Sequence, residues 1–309
     1  MDGASDGLRA DAYLSRELAF LSRGRVRQKI QMGESLLNGR RYSTATRLRS
    51  GDRITIAWRG PPDLRQATPV PVLFEDDFLL ALDKPAGMVS HPVGRTRAGT
   101  LVQFARERCA RDIRASLERG DMSFYPTLVN RLDAGTSGIV LVAKTRDTHR
   151  AMQALTVSRQ VAKEYIALVE GRMSQADGRI ELPLGPDKHS SVRLKMAGRA
   201  DGLPSVTTYD VLWLFAAQSL VRAVPLTGRQ HQIRVHLASL GHPVVGDLLY
   251  HDERLFLAHV NARVDENNQV ARHCLHASRM EFVHPVTGAK TRIDAPLPQD
   301  FLSILARLE

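Results

Sequence analysis

The 309-residue sequence contains only two cysteines, Cys109 and Cys274. So few cysteines argue against a disulfide framework and against a cysteine-based zinc site. No apolar run approaches the ~20 residues that span a bilayer, and the N-terminus lacks the apolar core of a signal peptide. A Gly-rich phosphate loop and a metal-ligand motif are also missing. We therefore expect a monomeric protein of the reducing cytoplasm that has no membrane partner.

Acidic side chains are scarce at the start of the chain. Residues 1–60 contain six Asp and Glu against twelve Lys and Arg, so this fifth of the sequence carries +6 of the formal net charge of +10. A concentration of arginine suits a polyphosphate partner, because the release of counterions supplies much of the affinity. A solvated basic face is the alternative that charge alone would favour.

The basic segment has the pattern of two short helices. Leu14, Leu18 and Leu21 share one face of the first predicted helix. Val26 and Ile30 predict a second helix that ends at a glycine a few residues later.

A small hairpin is predicted to follow these helices. Asn38-Gly39 is a turn signal, and Gly51-Asp52 precedes the alternating Ile54–Ile56. Two basic helices followed by a hairpin resemble the S4 RNA-binding domain. The resemblance implies that Arg23 and Arg25, in the second helix, contact RNA.

A proline-rich stretch separates this segment from the rest of the chain. Four prolines lie between positions 61 and 71, which is typical of a linker rather than of a helix or strand. We therefore predict an S4-like domain over residues 1–60, a linker over 61–72 and a larger domain over 73–309.

The larger domain shows neighbouring strand patterns interrupted by helices. This order predicts an α+β fold with a mixed, mostly antiparallel sheet. The predicted strands lie at 78–82, 139–143, 165–169, 207–214, 219–224, 279–283 and 291–293, and the predicted helices at 101–108, 148–159 (with Asp147 as N-cap) and 229–240.

One loop carries a candidate reactive group. Residues 130–138 read Asn-Arg-Leu-Asp-Ala-Gly-Thr-Ser-Gly and lead into the apolar strand pattern. Asp133 lies on this loop beside Arg131, and loops held by rigid elements often carry the chemistry of a protein. The alternative is an Asx turn before a strand, and the nine residues alone do not decide between the two.

This loop resembles the signature of the RluA family of pseudouridine synthases, which reads His-Arg-Leu-Asp, two variable residues, then Thr-Ser-Gly. Asn130 stands where the family has His. Other matches follow the family's order along most of the chain: Asp83-Lys84-Pro85-Ala86-Gly87 with His91-Pro92, Lys163-Glu164-Tyr165, Thr227 to His236, Gly241-His242-Pro243 with Gly246-Asp247, Leu275-His276-Ala277 and Phe282 to Pro285.

The resemblance implies the pseudouridine synthase fold, in which a mixed sheet with flanking helices surrounds a central cleft, and it makes residues 73–309 the catalytic domain. The implied reaction breaks the bond from uracil N1 to C1′ and rejoins the base through C5. Because nothing is oxidised or hydrolysed overall, no cofactor is expected. No metal is expected either, since His231 and His236, five apart on the predicted helix, would lie on divergent faces.

Asp133 corresponds to the family's catalytic aspartate, which acts as an ionised nucleophile or base. A carboxylate in a cleft that excludes water needs a nearby cation to stay ionised. By family position, Arg234 is the expected cation and Arg229 the second candidate. The alternative for both arginines is phosphate binding or a surface helix face.

Two further residues align with the family's active site. Tyr165 is expected to stack on the uracil and to assist proton movement at C5. Leu275 is expected to pack against the base. The alternative for each is an ordinary core residue.

An enzyme that works on a base inside folded RNA must extrude that base from its stack, and a side chain should fill the gap. Arg131 is the candidate, since a planar guanidinium can stack where the base had been. A structural ion pair in the loop is the alternative. Asn130 is expected to make altered polar contacts to phosphate or backbone while activity is kept.

These features predict an RNA pseudouridine synthase that acts on structured RNA. Large-subunit ribosomal RNA is the expected target by family analogy, and tRNA is the alternative. An N-glycoside hydrolase would usually want a second carboxylate beside Asp133, which the motif lacks. A non-catalytic RNA-binding protein that keeps the fold is the remaining alternative.

Overall fold

The computed structural model describes residues 6–17, 23–56, 70–92, 98–121, 123–254, 256 and 272–308. By its internal contacts the chain divides into two compact units. The first comprises Met1–Gln66 with Arg106–Tyr125, and the second comprises Ala67–Ala105 with Pro126–Glu309.

The described helices are, in chain order, α1 (Ala10–Glu17), α2 (Arg23–Gln31), α3 (Leu101–Arg108), α4 (Ala110–Glu118), α5 (Arg146–Val157), α6 (Gln232–Ser239), α7 (Leu248–His251) and α8 (Gln299–Leu305). The described strands are β1 (Ser35–Leu37), β2 (Ile54–Ile56), β3 (Val72–Glu75), β4 (Leu79–Lys84), β5 (Phe124–Leu128), β6 (Ser137–Thr145), β7 (Ala162–Glu170), β8 (Asp177–Glu181), β9 (Leu184–Pro186), β10 (Met196–Gly198), β11 (Val206–Leu214), β12 (Gln218–Pro225), β13 (Leu275–Val283) and β14 (Lys290–Asp294).

The first unit contains the two predicted helices and the predicted hairpin, but only α2 is basic, since α1 carries Arg16 against Asp11 and Glu17. β1 and β2 pair antiparallel, with Ser35 opposite Ile56. Leu14 of α1 packs with Val26 and Ile30 of α2 in a small apolar core. Leu18 and Leu21 of the predicted first helix, and residues 61–69 of the predicted linker, lie outside the described residues.

The second unit is built on a ten-stranded sheet. Eight strands follow the order β3-β4-β6-β13-β7-β12-β11-β8, β14 pairs with β13, and β5 pairs with β6. The pairing of β6 with β13 is parallel, and the other described pairs along this order are antiparallel. The prediction of an α+β fold with a mixed, mostly antiparallel sheet is therefore confirmed.

Burial explains which strands the sequence pattern detected. β6 has eight consecutive buried residues, and Leu79 to Leu82 of β4 are completely buried. Continuous apolar runs of this kind give a clear strand signal. β8, β9 and β10 are short or partly exposed, and no strand was predicted there.

Two predicted helix boundaries were wrong. Thr145, not Asp147, caps α5: its hydroxyl accepts a hydrogen bond from the Thr148 amide at 3.2 Å, while Asp147 lies exposed in the first turn. Helix α6 begins at Gln232 rather than at Arg229. His231 before it has a left-handed backbone (φ 56°), which no helical pattern in the sequence could indicate.

Both cysteines are buried free thiols. Within the described ranges, no helix has the length and apolar character needed to cross a membrane.

Candidate active site

The Asp133 loop connects β5 to β6 and is fixed by the segment that follows β4. The ammonium of Lys84 donates hydrogen bonds to the carbonyls of Pro85 (2.9 Å), Met88 (2.8 Å) and Ala134 (3.0 Å). The Ala134 carbonyl also accepts from the Gly87 amide at 2.8 Å. The residue next to Asp133 is thereby tied to the Lys-Pro-Ala-Gly segment.

Lys84 is completely buried, although lysine is rarely found in that environment. Burial lowers the pKa of its ammonium to about 7, and the negative charge of Asp133 acts in the opposite direction. The three carbonyl acceptors match the three hydrogens of the charged form. Lys84 therefore anchors the residue next to Asp133, and the Asp133 carboxylate favours its charged form.

The far side of the same loop is held by close backbone packing against β13. Gly138 has φ 109°, and a Cβ atom there would lie 2.2 Å from the carbonyl oxygen of Ala277. Only glycine fits at this position. The Thr136 hydroxyl forms a 2.7 Å hydrogen bond with the buried His273 ring, and the Thr136 amide donates to the Asp133 carbonyl at 3.1 Å.

Arg234 of α6 joins two carboxylates. Its Nη1 donates to Asp133 Oδ2 at 2.9 Å. Its Nε and Nη2 donate to the two oxygens of Asp247 at 2.5 and 2.8 Å. The Arg234 and Asp247 side chains are 7% and 1% exposed, whereas Asp133 is 29% exposed. The predicted contact between Arg234 and Asp133 is therefore present.

This arrangement leaves Asp133 only partly satisfied. Burial alone would lower the pKa of Arg234, but the hydrogen bonds and charges of Asp247 and Asp133 raise it above its ordinary value, so the arginine is permanently charged. Asp247 takes two of its donors in a bidentate pair. Within the described part of the chain, Oδ1 of Asp133 accepts no hydrogen bond, and this oxygen is available to a substrate.

His231 faces the same carboxylate from the start of α6. Its Nε2 lies 3.7 Å from Asp133 Oδ2, and its Nδ1 forms a 2.7 Å hydrogen bond with the Tyr250 hydroxyl. That hydroxyl also accepts from the Met196 amide at 3.0 Å. Burial lowers the pKa of His231, and the negative charge of Asp133 acts in the opposite direction.

Tyr165 of β7 is partly buried against the main core. Burial, and to a smaller extent the charge of Asp133, raise the pKa of its phenol well above the ordinary value. Tyr165 is therefore a neutral hydroxyl group within electrostatic range of the Asp133 carboxylate. Leu275 is 4% exposed and belongs to the same apolar core.

The remaining predicted residues of the second unit lie around this centre with different surroundings. Arg131 is exposed, and among the described residues its guanidinium has no hydrogen bond or ion pair. The side-chain amide of Asn130 binds the backbone of β6. Its nitrogen donates to the Ile139 carbonyl at 3.1 Å, and its oxygen accepts from the Leu141 backbone amide at 2.8 Å. Arg229 is exposed and donates to the Pro204 carbonyl at 3.3 Å.

The two predicted RNA contacts of the first unit are both in α2. Arg23 is half exposed and pairs with Asp11 at 3.3 Å. The side chain of Arg25 lies outside the described residues.

Three residues of the centre had no assigned role in the sequence. Lys84 and Asp247 appeared only as matches in short motifs, and Tyr250 lay outside every motif. His231 belongs to the Thr227 to His236 match, but the sequence pattern places it inside a helix rather than before one and indicates no role for it. Among the described residues, no three His, Cys, Asp or Glu side chains are grouped as a metal site would require.

A solvent-accessible carboxylate, a buried arginine that holds it and a neutral phenol can together carry out nucleophilic or acid–base chemistry. The arrangement offers one reactive oxygen anion and one weak proton donor. It lacks, within the described ranges, the second free carboxylate that glycoside hydrolysis usually needs.

Comparisons with known proteins identify one family to which this chain is similar. A family model described as RNA pseudouridylate synthase matches residues 78–239. Ribosomal large subunit pseudouridine synthase D of Xanthomonas campestris pv. campestris is 36% identical over 98% of this chain and 89% of its own length. The Pseudomonas aeruginosa protein of the same name is 33% identical over 98% of this chain and 92% of its own length.

The fold has solved counterparts as well. The structure of human RNA Pseudouridylate Synthase Domain Containing 4 matches with a TM-score of 0.54 and 25% identity, covering 77% of this chain and 92% of the human chain.

Proposed function

The chain belongs to the RNA pseudouridylate synthase family and is an RNA uridine isomerase; from this premise we propose that it modifies large-subunit ribosomal RNA and that Asp133 starts the reaction. The names of the full-length relatives support this choice of RNA, since several of them are ribosomal large subunit pseudouridine synthases.

One observation carries the role of Asp133. Its carboxylate is held by a single hydrogen bond from a buried arginine, while its other oxygen is unused and the side chain is 29% exposed. A structural aspartate of an Asx turn would spend its oxygens on nearby backbone amides, as Asp76 does with the amides of Phe78 and Leu79. Asp133 instead keeps an oxygen for the substrate.

Tyr165 and Arg234 complete the proposed catalytic group. The neutral phenol of Tyr165 can stack on the uracil and can deliver or accept a proton near C5 once the base has turned. Arg234 positions Asp133 and supplies the cation that an anionic nucleophile or base requires in a partly buried site. No cofactor is needed, because the reaction rearranges one nucleotide without net oxidation or hydrolysis.

Substrate binding is assigned to residues around this group. Arg131, exposed and unpaired among the described residues, is the proposed occupant of the gap left by the extruded base. Leu275 is proposed to contact the base, and Arg229 the RNA backbone. Asn130 is proposed to act near the RNA through the loop that its amide fixes to β6.

We further propose that residues 1–60 form an S4-like RNA-binding domain, joined by a linker at 61–72 to the catalytic domain at 73–309. Two short helices, of which α2 is strongly basic, and a hairpin support this assignment. Arg23 and Arg25 of α2 are its proposed RNA contacts.

The decisive experiment for the function is a transcriptome-wide map of pseudouridine in cells with and without the gene. We expect one or a few positions of large-subunit ribosomal RNA to lose the modification. Loss from tRNA alone would change the proposed substrate, and an unchanged map would refute the assignment to ribosomal RNA.

The role of Asp133 is tested in vitro with Asp133→Asn. We expect product formation to fall by at least ~10³-fold while RNA binding persists, because the amide is neither a nucleophile nor a base. Asp147→Asn, which changes an exposed aspartate of the same unit, is the matched control. Release of free uracil by the wild type would identify a hydrolase instead.

A further inference from the structure

The first unit contains a cluster of charges that the proposed catalytic chemistry does not use. The carboxylate of Asp11, in α1, is completely buried. It accepts hydrogen bonds from Arg9 Nε (3.1 Å) and Nη2 (3.4 Å), from Arg23 Nη2 (3.3 Å) and from Arg27 Nε (2.9 Å). These four residues are called the Asp11 cluster below.

The charges of the Asp11 cluster do not balance. One carboxylate faces three guanidinium groups, so the cluster carries a net charge of +2. The side chains of Arg9, Arg23 and Arg27 are 43%, 54% and 48% exposed. Burial alone would raise the pKa of Asp11, but the hydrogen bonds from Arg9 and Arg27 and the charge of Arg23 lower it far below its ordinary value.

The three arginines that bind Asp11 come from two segments of the first unit. Arg9 immediately precedes α1, and its backbone bridges to that of Arg47. Arg23 and Arg27 lie four residues apart on α2, which places them on one face of that helix. The Asp11 amide donates to the Thr44 carbonyl at 3.2 Å, which fixes the start of α1.

A purely structural ion pair would not need this composition. One arginine that uses two donors already satisfies a carboxylate, as Arg234 does for Asp247. In the Asp11 cluster, Arg9 already donates to both oxygens, and Arg23 and Arg27 each add one further hydrogen bond. The cluster therefore holds three half-exposed guanidinium groups at fixed positions, two more than the carboxylate needs.

We propose that Asp11 is the positioning residue of a phosphate-binding site made by Arg9, Arg23 and Arg27, and that this site takes a backbone phosphodiester of the RNA substrate. The proposal deepens the proposed function, because it assumes an RNA partner. Arg23 is an expected RNA contact, whereas Arg9, Arg27 and Asp11 acquire their roles from the geometry. Guanidinium groups suit phosphate because their planar forks offer paired donors.

The variant Asp11→Asn tests the proposal, because simple electrostatics and the proposal predict opposite changes in RNA affinity. Simple electrostatics predicts that deleting a negative charge from a basic face tightens RNA binding. The proposal predicts weaker binding, because the arginines lose the acceptor that holds them. The expected change is a ~3- to 10-fold rise in the dissociation constant for a transcript of large-subunit ribosomal RNA, with a parallel rise in KM. Glu17→Gln, which removes an exposed acid from the same helix, is the control and should leave binding equal or tighter.

A second pair of variants keeps the test informative if Asp11→Asn does not fold. Arg27→Gln should weaken binding and lower the slope of log affinity against log salt by ~0.7 to 0.9, the value of one phosphate contact. Arg53→Gln removes the same charge from an exposed position of the first unit and should change the slope less. Arg27→Lys keeps the charge but loses the planar fork, and should bind more weakly than the wild type.

The outcomes separate this proposal from the proposed function. Equal or tighter binding by a folded Asp11→Asn protein, or equal effects of Arg27→Gln and Arg53→Gln, would overturn the phosphate site. A wild type that binds the transcript through these arginines but forms no pseudouridine in it would leave the site standing and would refute the proposed RNA substrate.

Discussion

The two units each contain an aspartate surrounded by arginine, and the two arrangements are reversed. In the second unit one buried arginine serves two carboxylates, and the group left accessible is the carboxylate of Asp133. In the first unit one buried carboxylate serves three arginines, and the groups left accessible are cations. A cluster of aspartate and arginine thus exposes an anion where one buried arginine binds two carboxylates. It exposes cations where one buried carboxylate binds three arginines.

The difference matches the two tasks that the protein is proposed to perform. A reaction at uracil requires a localised anion with an unused oxygen, whereas binding of the RNA backbone requires several cations at fixed positions. In both places a buried partner of opposite charge fixes the exposed group. We therefore expect loss of the buried partner to damage catalysis in one unit and RNA affinity in the other.

The largest effect is expected for Asp247→Asn. This change leaves the buried Arg234 without its bidentate partner, so the free energy of unfolding should fall by about 3 to 5 kcal/mol. Arg234 is then free to move from Asp133, and kcat should fall by ~10²-fold, because small misplacements of a catalytic group are costly. Urea unfolding and single-turnover assays measure the two effects.

The control for Asp247→Asn is Asp210→Asn. Asp210 forms a surface pair with Arg222 in the same unit, and both side chains are more than 40% exposed. Loss of this pair should lower the free energy of unfolding by less than ~1 kcal/mol and leave kcat unchanged. If Asp247→Asn raised the KM for RNA and spared kcat, the contrast between the two units would be lost.

Lys84→Met should have the next largest effect. It removes the donors to three carbonyls, including that of Ala134, and should lower the free energy of unfolding by about 2 to 4 kcal/mol. Because the Asp133 loop loses its anchor, kcat should fall ~10-fold or more while RNA binding persists. Lys144→Met, which removes a buried lysine paired with Glu75, should reduce stability without this loss of kcat.

Acid should affect the units unequally, since residues 1–66 and 106–125 contain no histidine. In the second unit burial lowers the pKa of His276 to about 4, from about 6.5 for the ordinary group. Between these values the unfolded chain binds more protons, so stability is complete above about pH 6.5 and is lost as the pH falls towards 4. The expected loss from His276 between about pH 7.5 and pH 5 is about 2 kcal/mol.

The variant His276→Gln isolates this contribution. Its free energy of unfolding should vary less between the two pH values than that of the wild type, as measured by urea unfolding. His189→Gln changes an exposed histidine of the same unit and should keep the wild-type pH dependence. An identical pH dependence in all three proteins would contradict the assignment to His276.

The smallest effect is expected for Tyr250→Phe. The ring still covers Arg234, whose guanidinium carbon lies 4.9 Å from the ring centre, but the hydrogen bond to His231 is lost. Stability should fall by about 1 kcal/mol. The His231 ring then loses the hydrogen bond at Nδ1 that orients it near Asp133, and kcat should fall only ~2- to 5-fold. The control variant Tyr209→Phe should lower both the free energy of unfolding and kcat less than Tyr250→Phe does.

The sequence predicted the strands that are continuous apolar runs, because burial of both faces leaves an unmistakable pattern, as in β6. It also placed Arg234 beside Asp133, although 101 positions separate them, through motif order rather than through any local signal. It could not predict the left-handed His231 that shortens α6, since this conformation depends on tertiary contacts such as that with Tyr250.

Charge counting had a similar limit. In the composition of residues 1–60, Asp11 is one acid that subtracts from a basic total. In the fold it is completely buried and gathers three arginines, so its effect on RNA binding is expected to have the opposite sign. A count of charges contains no information about burial, and burial decides which member of an ion pair a ligand meets.

The parallel pairing of β6 with β13 determines when the second unit can complete its sheet during synthesis. The two strands pair at His276 with Ser137 and at Ala277 with Gly138, across 139 positions of sequence. The last residue of the first unit is Tyr125, about 150 residues before β13. At roughly 5 to 20 residues per second, a nascent chain has the whole first unit on the order of ten seconds before it can close the sheet around Asp133. The RNA binding proposed for the first unit would therefore arise before the catalytic activity proposed for the second.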